Sequence, residues 1–433
     1  MRLIRLRALL LVALFVAIAP AASAQVTAPP APPDPSNPFF DDSVVHDIFI
    51  TINSRDWAGL KEHFLENTYY PCDFKWNGMT VRNIGIRSRG TGSRSGTKPG
   101  LRVDFDRYTT DQKFLGLKSF ILRNNTQDET GMRERISMLL FRRLNMVAER
   151  EAHARLFINN VYSGVYTIVE SIDKTFLTKN FNQNDGHLYE YSFDNAAPVP
   201  FDFGYPGPDP ALYTPVPFKP ETLEDDPQGE VFERLFWTIN IASDAVWRSA
   251  MEEFLDLKKF IRHLAIENFL AEEDGLTGDY GPNNFYFYRF ENTTKFQFIP
   301  WDKSNTFWDS PSYSIFHNIV DGPESHRNKL VVRALRDPEL RELYLNTLLE
   351  AADSVMAPPE DRQNAASTVA GWLEAEVNYE YAQIHDFDVA DPVRNHSQGQ
   401  FDAGAETLRT FGRQRADRVR EQVAADRAAR GIM

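Results

Sequence analysis

The stretch "GDYGPNNFYFYRFENTTKFQFIPWDKSNTF", residues 278–307, constrains this chain most. Phe285 and Phe287 alternate with Tyr286 and Tyr288, and "KFQFIPWD" follows the turn "ENTTK". That pattern is an antiparallel hairpin. Helix-period sequence flanks it, at about residues 256–272 before and 329–356, 361–384 and 404–427 after. The second half therefore reads as a helical lobe built around one hairpin. Antiparallel pairing sets residues just before the first strand beside those just after the second. Asp279, Asn283 and Asn284 are thus expected to meet Asp302.

Two carboxylates and an amide suit Mg²⁺ or Mn²⁺ held against phosphate oxygens. The Asp-x-x-x-x-Asn spacing from Asp279 to Asn284 is also that of protein-kinase catalytic loops. There a hairpin follows, and an Asp at its far end binds metal. Neither H-R-D nor D-F-G occurs within this loop and hairpin. Asp, Gly, Pro and Asn are equally turn formers, and Asp302 serves equally as a cap, so spacing alone leaves both a turn and a site open.

The first half is strand-rich. Ile48, Ile50 and Ile52 alternate, Asn77-Gly78 and Asn159-Asn160 mark hairpin turns, and "GLRVDFDRY" and "LKSFILRN" are short strands. One amphipathic helix carries Met132, Ile136, Leu139, Leu140 and Leu144 on one face. Residues 191–228, rich in Pro, Gly and Asp, read as a surface excursion. The fold class is α+β with two lobes, a β-rich one over about 45–190 and a helical one over about 191–430.

"MRLIRLRALLLVALFVAIAPAASAQ" has a basic start, an apolar core and a small-residue "ASA". It reads as a secretory signal peptide, residues 1–24, implying an exported protein, at the cell surface or in the periplasm. Nothing later is long and apolar enough to span a membrane. Residues 25–44 read as a linker, with six prolines between Val26 and Phe39. The single cysteine, Cys72, excludes an internal disulfide. A net charge of -14 argues against nucleic acid or an anionic membrane as main partner.

"DYGPNNFYFYR" and "KFQFIPWDKSNTF" together resemble the CotH (spore coat protein H) family of secreted, atypical protein kinases. "IRSRGTGSRSGTKPGLRVDFDRY" resembles that family's Arg-Gly segment, and "LFINNVYSGVYTIVESID" its upstream hairpin. The resemblance runs in family order from about residue 45 to 425. It implies an atypical protein-kinase-like fold, ATP with Mg²⁺ or Mn²⁺, and transfer of the γ-phosphate to Ser or Thr of a protein substrate. It makes Asp279 the catalytic residue and Asn284 and Asp302 metal ligands. Many members carry a second Asp two residues after the "PWD" Asp. Ser304 stands there in this chain, which implies weaker or altered metal binding.

Nucleotide needs cations for phosphate and a flat surface for adenine. Lys98 and then Arg89, in the glycine-rich "RSRGTGSRSGTK", are the phosphate candidates. Glu170 ends an apolar strand and is expected to pair with Lys98 or mark the hinge. Trp301 and Tyr189 are the adenine candidates. Two other functions stay open on the same fold: a catalytically weak adhesin or binding module, and AMP transfer.

Overall fold

Asn77 and Gly78 have φ of 44° and 78°, and Asn159 and Asn160 have 50° and 66°. These left-handed pairs make the two tight hairpin turns that the sequence marks. A computed structural model describes residues 33–191, 202–308, 310–364 and 368–432. Strands β1 (His46–Ile52), β2 (Tyr70–Trp76), β3 (Met79–Ser88), β4 (Leu101–Asp104), β5 (Ser119–Arg123), β6 (Glu151–Ile158) and β7 (Val161–Glu170) form a closed barrel in the order β1-β2-β3-β4-β5-β7-β6. Only the closing pair, β1 with β6, is parallel; Ile48 faces Leu156 there. Ile48, Ile50, Phe74, Ile84, Ile86, Val103 and Phe120 are fully buried inside the barrel. Helix α1 (Ser54–Glu62) packs outside, and α2 (Arg133–Arg143) lies between β5 and β6 in the chain.

The second lobe holds α3 (Lys174–Phe181), strands β8 (His187–Tyr191) and β9 (Phe218–Pro220), helices α4 (Gly229–Ile241), α5 (Asp244–Met251) and α6 (Leu257–Phe269), strands β10 (Phe285–Arg289) and β11 (Phe296–Pro300), then α7 (Lys329–Ala334), α8 (Pro338–Val355), α9 (Trp372–Val389) and α10 (Gln398–Ala429). Its sheet has the order β11-β10-β8-β9. The hairpin is in register as Phe285 with Pro300 and Phe287 with Phe298. The α+β, two-lobed organisation expected from sequence is the one observed.

The structure redraws three boundaries. The linker ends before residue 44: Phe39 is fully buried in the barrel, its ring edge-on to Phe120 at 4.9 Å and to Trp76 at 5.4 Å. A proline-rich segment hides such an anchor because its composition signals extended chain. β8 pairs with β10, so the barrel ends at Glu170 and the lobes divide near Ser171 instead of residue 190. The supposed surface excursion also contributes to the core, for Phe203, Tyr213 and Phe218 are fully buried. The signal segment and residues 192–201 lie outside the described residues.

Polar straps join the barrel side to the C-terminal helices. Arg135 of α2 is fully buried and bonds Glu376 and, at 2.6 Å, Glu380 of α9. His153 of β6 lies 3.0 Å from the same Glu380. Lys98 lies 2.7 Å from Asp391, which follows α9.

Candidate active site

The Trp301 N–H donates to the Asn284 carbonyl at 3.2 Å, closing the hairpin at its open end. Asn284 and Asp302 flank that bond, as expected. Both adopt left-handed backbone, with φ of 57° and 50°. Asn and Asp tolerate this region, so the two residues turn the chain at either side of the hairpin mouth. Lys303 anchors the corner from below. It is fully buried, and its Nζ donates to Glu267 of α6 at 2.6 Å and to the Asn284 carbonyl at 3.0 Å. Glu267 also receives the Leu276 N–H at 2.9 Å and lies 3.0 Å from His263 Nε2. Burial alone would raise the Glu267 carboxyl, but Lys303 and His263 push it down to about 2. An ionised pair inside the core thus fixes helix, loop and hairpin together.

Asp302 is half-buried, and its Oδ1 takes Arg123 Nη1 at 2.6 Å and Ser304 Oγ at 3.1 Å. Burial raises its carboxyl, yet Arg123 and Arg89 hold it below the ordinary value. Arg123, at the end of β5, also meets Glu134 in the first turn of α2. The guanidinium groups of Arg89 and Arg123 both lie over the Trp301 ring, at 5.4 and 5.5 Å.

The neighbour of Asn284 is Asp274. Its carboxylate accepts the side-chain amides of Asn283 at 2.8 Å, Asn284 at 2.9 Å and Asn305 at 3.3 Å. Burial and the charge of Asp302 raise the Asp274 carboxyl, against the amides that lower it. The expected meeting of Asp279 with Asn284 and Asp302 does not occur. The loop turns back at Gly278, where an added Cβ would lie 1.9 Å from the Glu273 carbonyl oxygen. Asp279 is therefore carried away, its side chain 54% exposed and its Oδ1 2.9 Å from both His317 and Asn318.

Trp301 also lines a cavity of about 540 Å³ between barrel and second sheet, with Ile121, Ile172, Leu188 and Tyr286. Its wall also carries Arg102, Lys118 and Lys174 together with Asp173, Glu221, Glu224 and Asp225. Tyr286 and Trp301 meet edge to face at 5.3 Å. Trp301 and Arg89 both lie beside Asp302.

Three expected contacts fall elsewhere. Lys98 is buried against Asp391 and the Tyr166 ring, because Asp391 also caps the Val165 N–H and brings its charge to that end of the barrel. Glu170 pairs with Arg150 at 2.6 Å and with Lys179, not with Lys98. Tyr189 is fully buried against Phe232, and its hydroxyl donates to the Pro227 carbonyl, because strand alternation turns Leu188 to the cavity instead. Asp274, Arg123, Glu134 and Tyr286 were missed. Their signals were a third consecutive acid after an apolar helix, an Arg ending "SFILR", an acid at a helix start, and the tyrosine face of the hairpin.

The profile of the family described as CotH kinase protein matches residues 86–419. The chain is 23% identical over 388 residues to the inner spore coat protein H of Bacillus subtilis, covering 86% of this chain and 96% of that protein. It is 23% identical over 339 residues to a spore coat protein homolog of Rhizopus delemar, where it spans 73% of this chain and about half, 52%, of the relative. Among solved structures it is similar to the Helicobacter pylori proinflammatory kinase CtkA, with a TM-score of 0.30 and 10% identity over 77% of this chain and 95% of that one.

Proposed function

Since the chain belongs to the CotH kinase family, we propose that it is an exported protein kinase. It moves the γ-phosphate of ATP to a Ser or Thr hydroxyl of a protein substrate. One observation carries this reading: Asp274, Asn284 and Asp302, all half-buried, converge at the hairpin mouth where Trp301 meets the inter-lobe cavity. Pocket and polar cluster adjoin, as phosphoryl transfer requires.

The donors fit a hard cation. Asn284 spends its Nδ2 on Asp274, which leaves its amide oxygen as a ligand. The recorded bonds of Asp302 both fall on Oδ1, which leaves Oδ2. Oxygen donors of this kind suit Mg²⁺ or Mn²⁺. When bound, the metal neutralises phosphate charge.

In this reading the chain does the rest. Trp301, Tyr286 and Ile121 bound the adenine. Arg89, for which no hydrogen-bond partner is recorded at its guanidinium among the described residues, faces the phosphates from the Trp301 ring. Arg123 holds Asp302 in place. Asp274 takes the role the sequence gave to Asp279. It accepts the proton of the substrate hydroxyl as that oxygen bonds to the γ-phosphorus and the bond to the β-phosphate oxygen breaks, releasing ADP. The basic, apolar, "ASA" N-terminus supports export.

The test is incubation of purified protein with γ-labelled or α-labelled ATP and Mg²⁺ or Mn²⁺. Label on protein from γ alone supports the kinase. Label from α means AMP transfer, and none from either means a binding module.

A further inference from the structure

Asp279, carried away from Asn284, enters a second cluster. Its Oδ1 lies 2.9 Å from His317 Nε2 and 3.9 Å from His326 Nδ1. His317 Nε2 lies 3.8 Å from Glu273 Oε2. The groups come from three segments: the loop after α6, the turn before residue 318, and the 3-10 turn Glu324–His326. The fold-back at Gly278 lets the Asp279 N–H donate to Glu273 Oε2 at 3.2 Å. Asn318 braces the same corner, its Nδ2 reaching the Thr277 carbonyl at 3.1 Å as well as Asp279.

Four-coordinate zinc holds N and O ligands at roughly 2.0–2.2 Å, so adjacent ligand atoms stand roughly 3.3–3.6 Å apart. The Asp279–His317 and Glu273–His317 separations, 2.9 and 3.8 Å, bracket that edge, and Glu273, Asp279 and His317 form one mutually close set that His326 adjoins, 3.9 Å from Asp279. A second observation points to a ligand. His326 Nδ1 is shut off from solvent and has no hydrogen-bond partner among the described residues, yet it faces the Asp279 carboxylate. The buried ring nitrogen and the carboxylate are thus too far apart to hydrogen-bond directly and leave room for a ligand between them. Glu273, with its side chain 8% exposed, supplies a second carboxylate from the interior.

We infer that Glu273, Asp279, His317 and His326 bind a borderline divalent metal of the Zn²⁺ type. Two imidazoles and two carboxylates select such an ion over Mg²⁺, which prefers an all-oxygen set. The site is separate from the oxygen cluster of Asp274, Asn284 and Asp302, and its occupancy is independent of the kinase reading. Its effect on that cluster runs through the chain: Glu273 and Asp274 are neighbours, so a metal on Glu273 pins the backbone from which Asp274 reaches the three amides.

The experiment is calorimetric titration of the EDTA-treated full chain with ZnCl₂, without nucleotide. The parent is expected to bind one equivalent and to melt at a higher temperature with zinc than without. His317→Gln and His326→Gln should each weaken binding tenfold or more, while Asp302→Asn binds zinc as the parent does. His326 is partly exposed, 32% at its side chain, so its variant keeps the test valid if His317→Gln folds poorly. Zinc binding that is absent in the parent, survives loss of both histidines, or is lost with Asp302→Asn overturns the assignment.

Discussion

Arg123 stands between two acids of different lobes: its Nη1 lies 2.6 Å from Asp302 on the hairpin, and its Nε meets Glu134 of α2. One barrel-strand residue thus ties the position of α2 to the corner that faces the cavity. Its side chain is almost wholly buried, 7% exposed, and so is that of Glu134 at 6%, so Glu134 has no water as a substitute partner.

Arg123→Ala should destabilise the protein by about 3–5 kcal/mol, the usual cost of leaving buried charges unpaired. Arg123→Ala combined with Glu134→Gln should recover part of that loss. Urea denaturation of the parent, the single and the double variant measures both quantities, and simple additivity of the two changes would count against the coupling.

Asp274→Asn should cut phosphotransfer by on the order of 10²-fold or more while leaving nucleotide binding largely intact. Asp302→Asn should weaken ATP binding in the presence of Mg²⁺ and cut transfer by a similar factor. Asp279→Asn should have a smaller effect on transfer than either. Calorimetry with ATP beside a phosphotransfer assay ranks the three; an Asp279 variant as impaired as Asp274→Asn would restore the spacing-based assignment.

Trp301→Ala and Tyr286→Ala should each raise the dissociation constant for ATP by roughly tenfold, about 1.4 kcal/mol of lost contact. Tyr189→Phe should leave it unchanged, since that ring packs away from the cavity. Equal effects at Tyr189 and Trp301 would mean that adenine sits elsewhere.

Phe39→Ala should cost about 3–5 kcal/mol, as for other fully buried aromatic rings. The barrel loses an edge-on partner for Trp76, Phe114 and Phe120. A variant with the parent's urea midpoint would mean that the ring is not part of the core.

Glu151 gives a pH dependence. Burial, then the charge of Glu149, raises its carboxyl to about 8. The unfolded chain releases that proton near pH 4.3. Between those values the folded state binds more protons, so this contribution is complete below the lower value and is lost as pH rises through about 8. Chemical denaturation from pH 6 to 9 should show the parent weakening with a slope that Glu151→Gln reduces.

Sequence periodicity revealed the hairpin, the turns at Asn77 and Asn159 and the long C-terminal helices, because each is a local pattern. The adjacency of Asn284 and Asp302 followed from pairing alone. Asp274 escaped notice because it lies ten positions before Asn284, and only the Gly278 fold-back decides which carboxylate arrives. Tyr189 was misplaced because its sheet is covered on both faces, by the cavity wall and by the helical core, so apolar residues do not alternate with polar ones. Lys98 and Arg135 find partners some 240 or more positions away, a distance at which sequence carries no register.

The straps from Arg135, His153 and Lys98 to Glu376, Glu380 and Asp391 have a consequence for the order of synthesis. The barrel leaves the ribosome first, but Arg135, His153 and Lys98 find these acidic partners only when residues 376–391 follow. Until then Arg135 in particular would keep Asp42 but lack its two buried glutamates, a state that favours an open chain. The first-made lobe is therefore completed by nearly the last-made helix. The order of these contacts predicts a chain that stays open through most of translation and commits to its fold late.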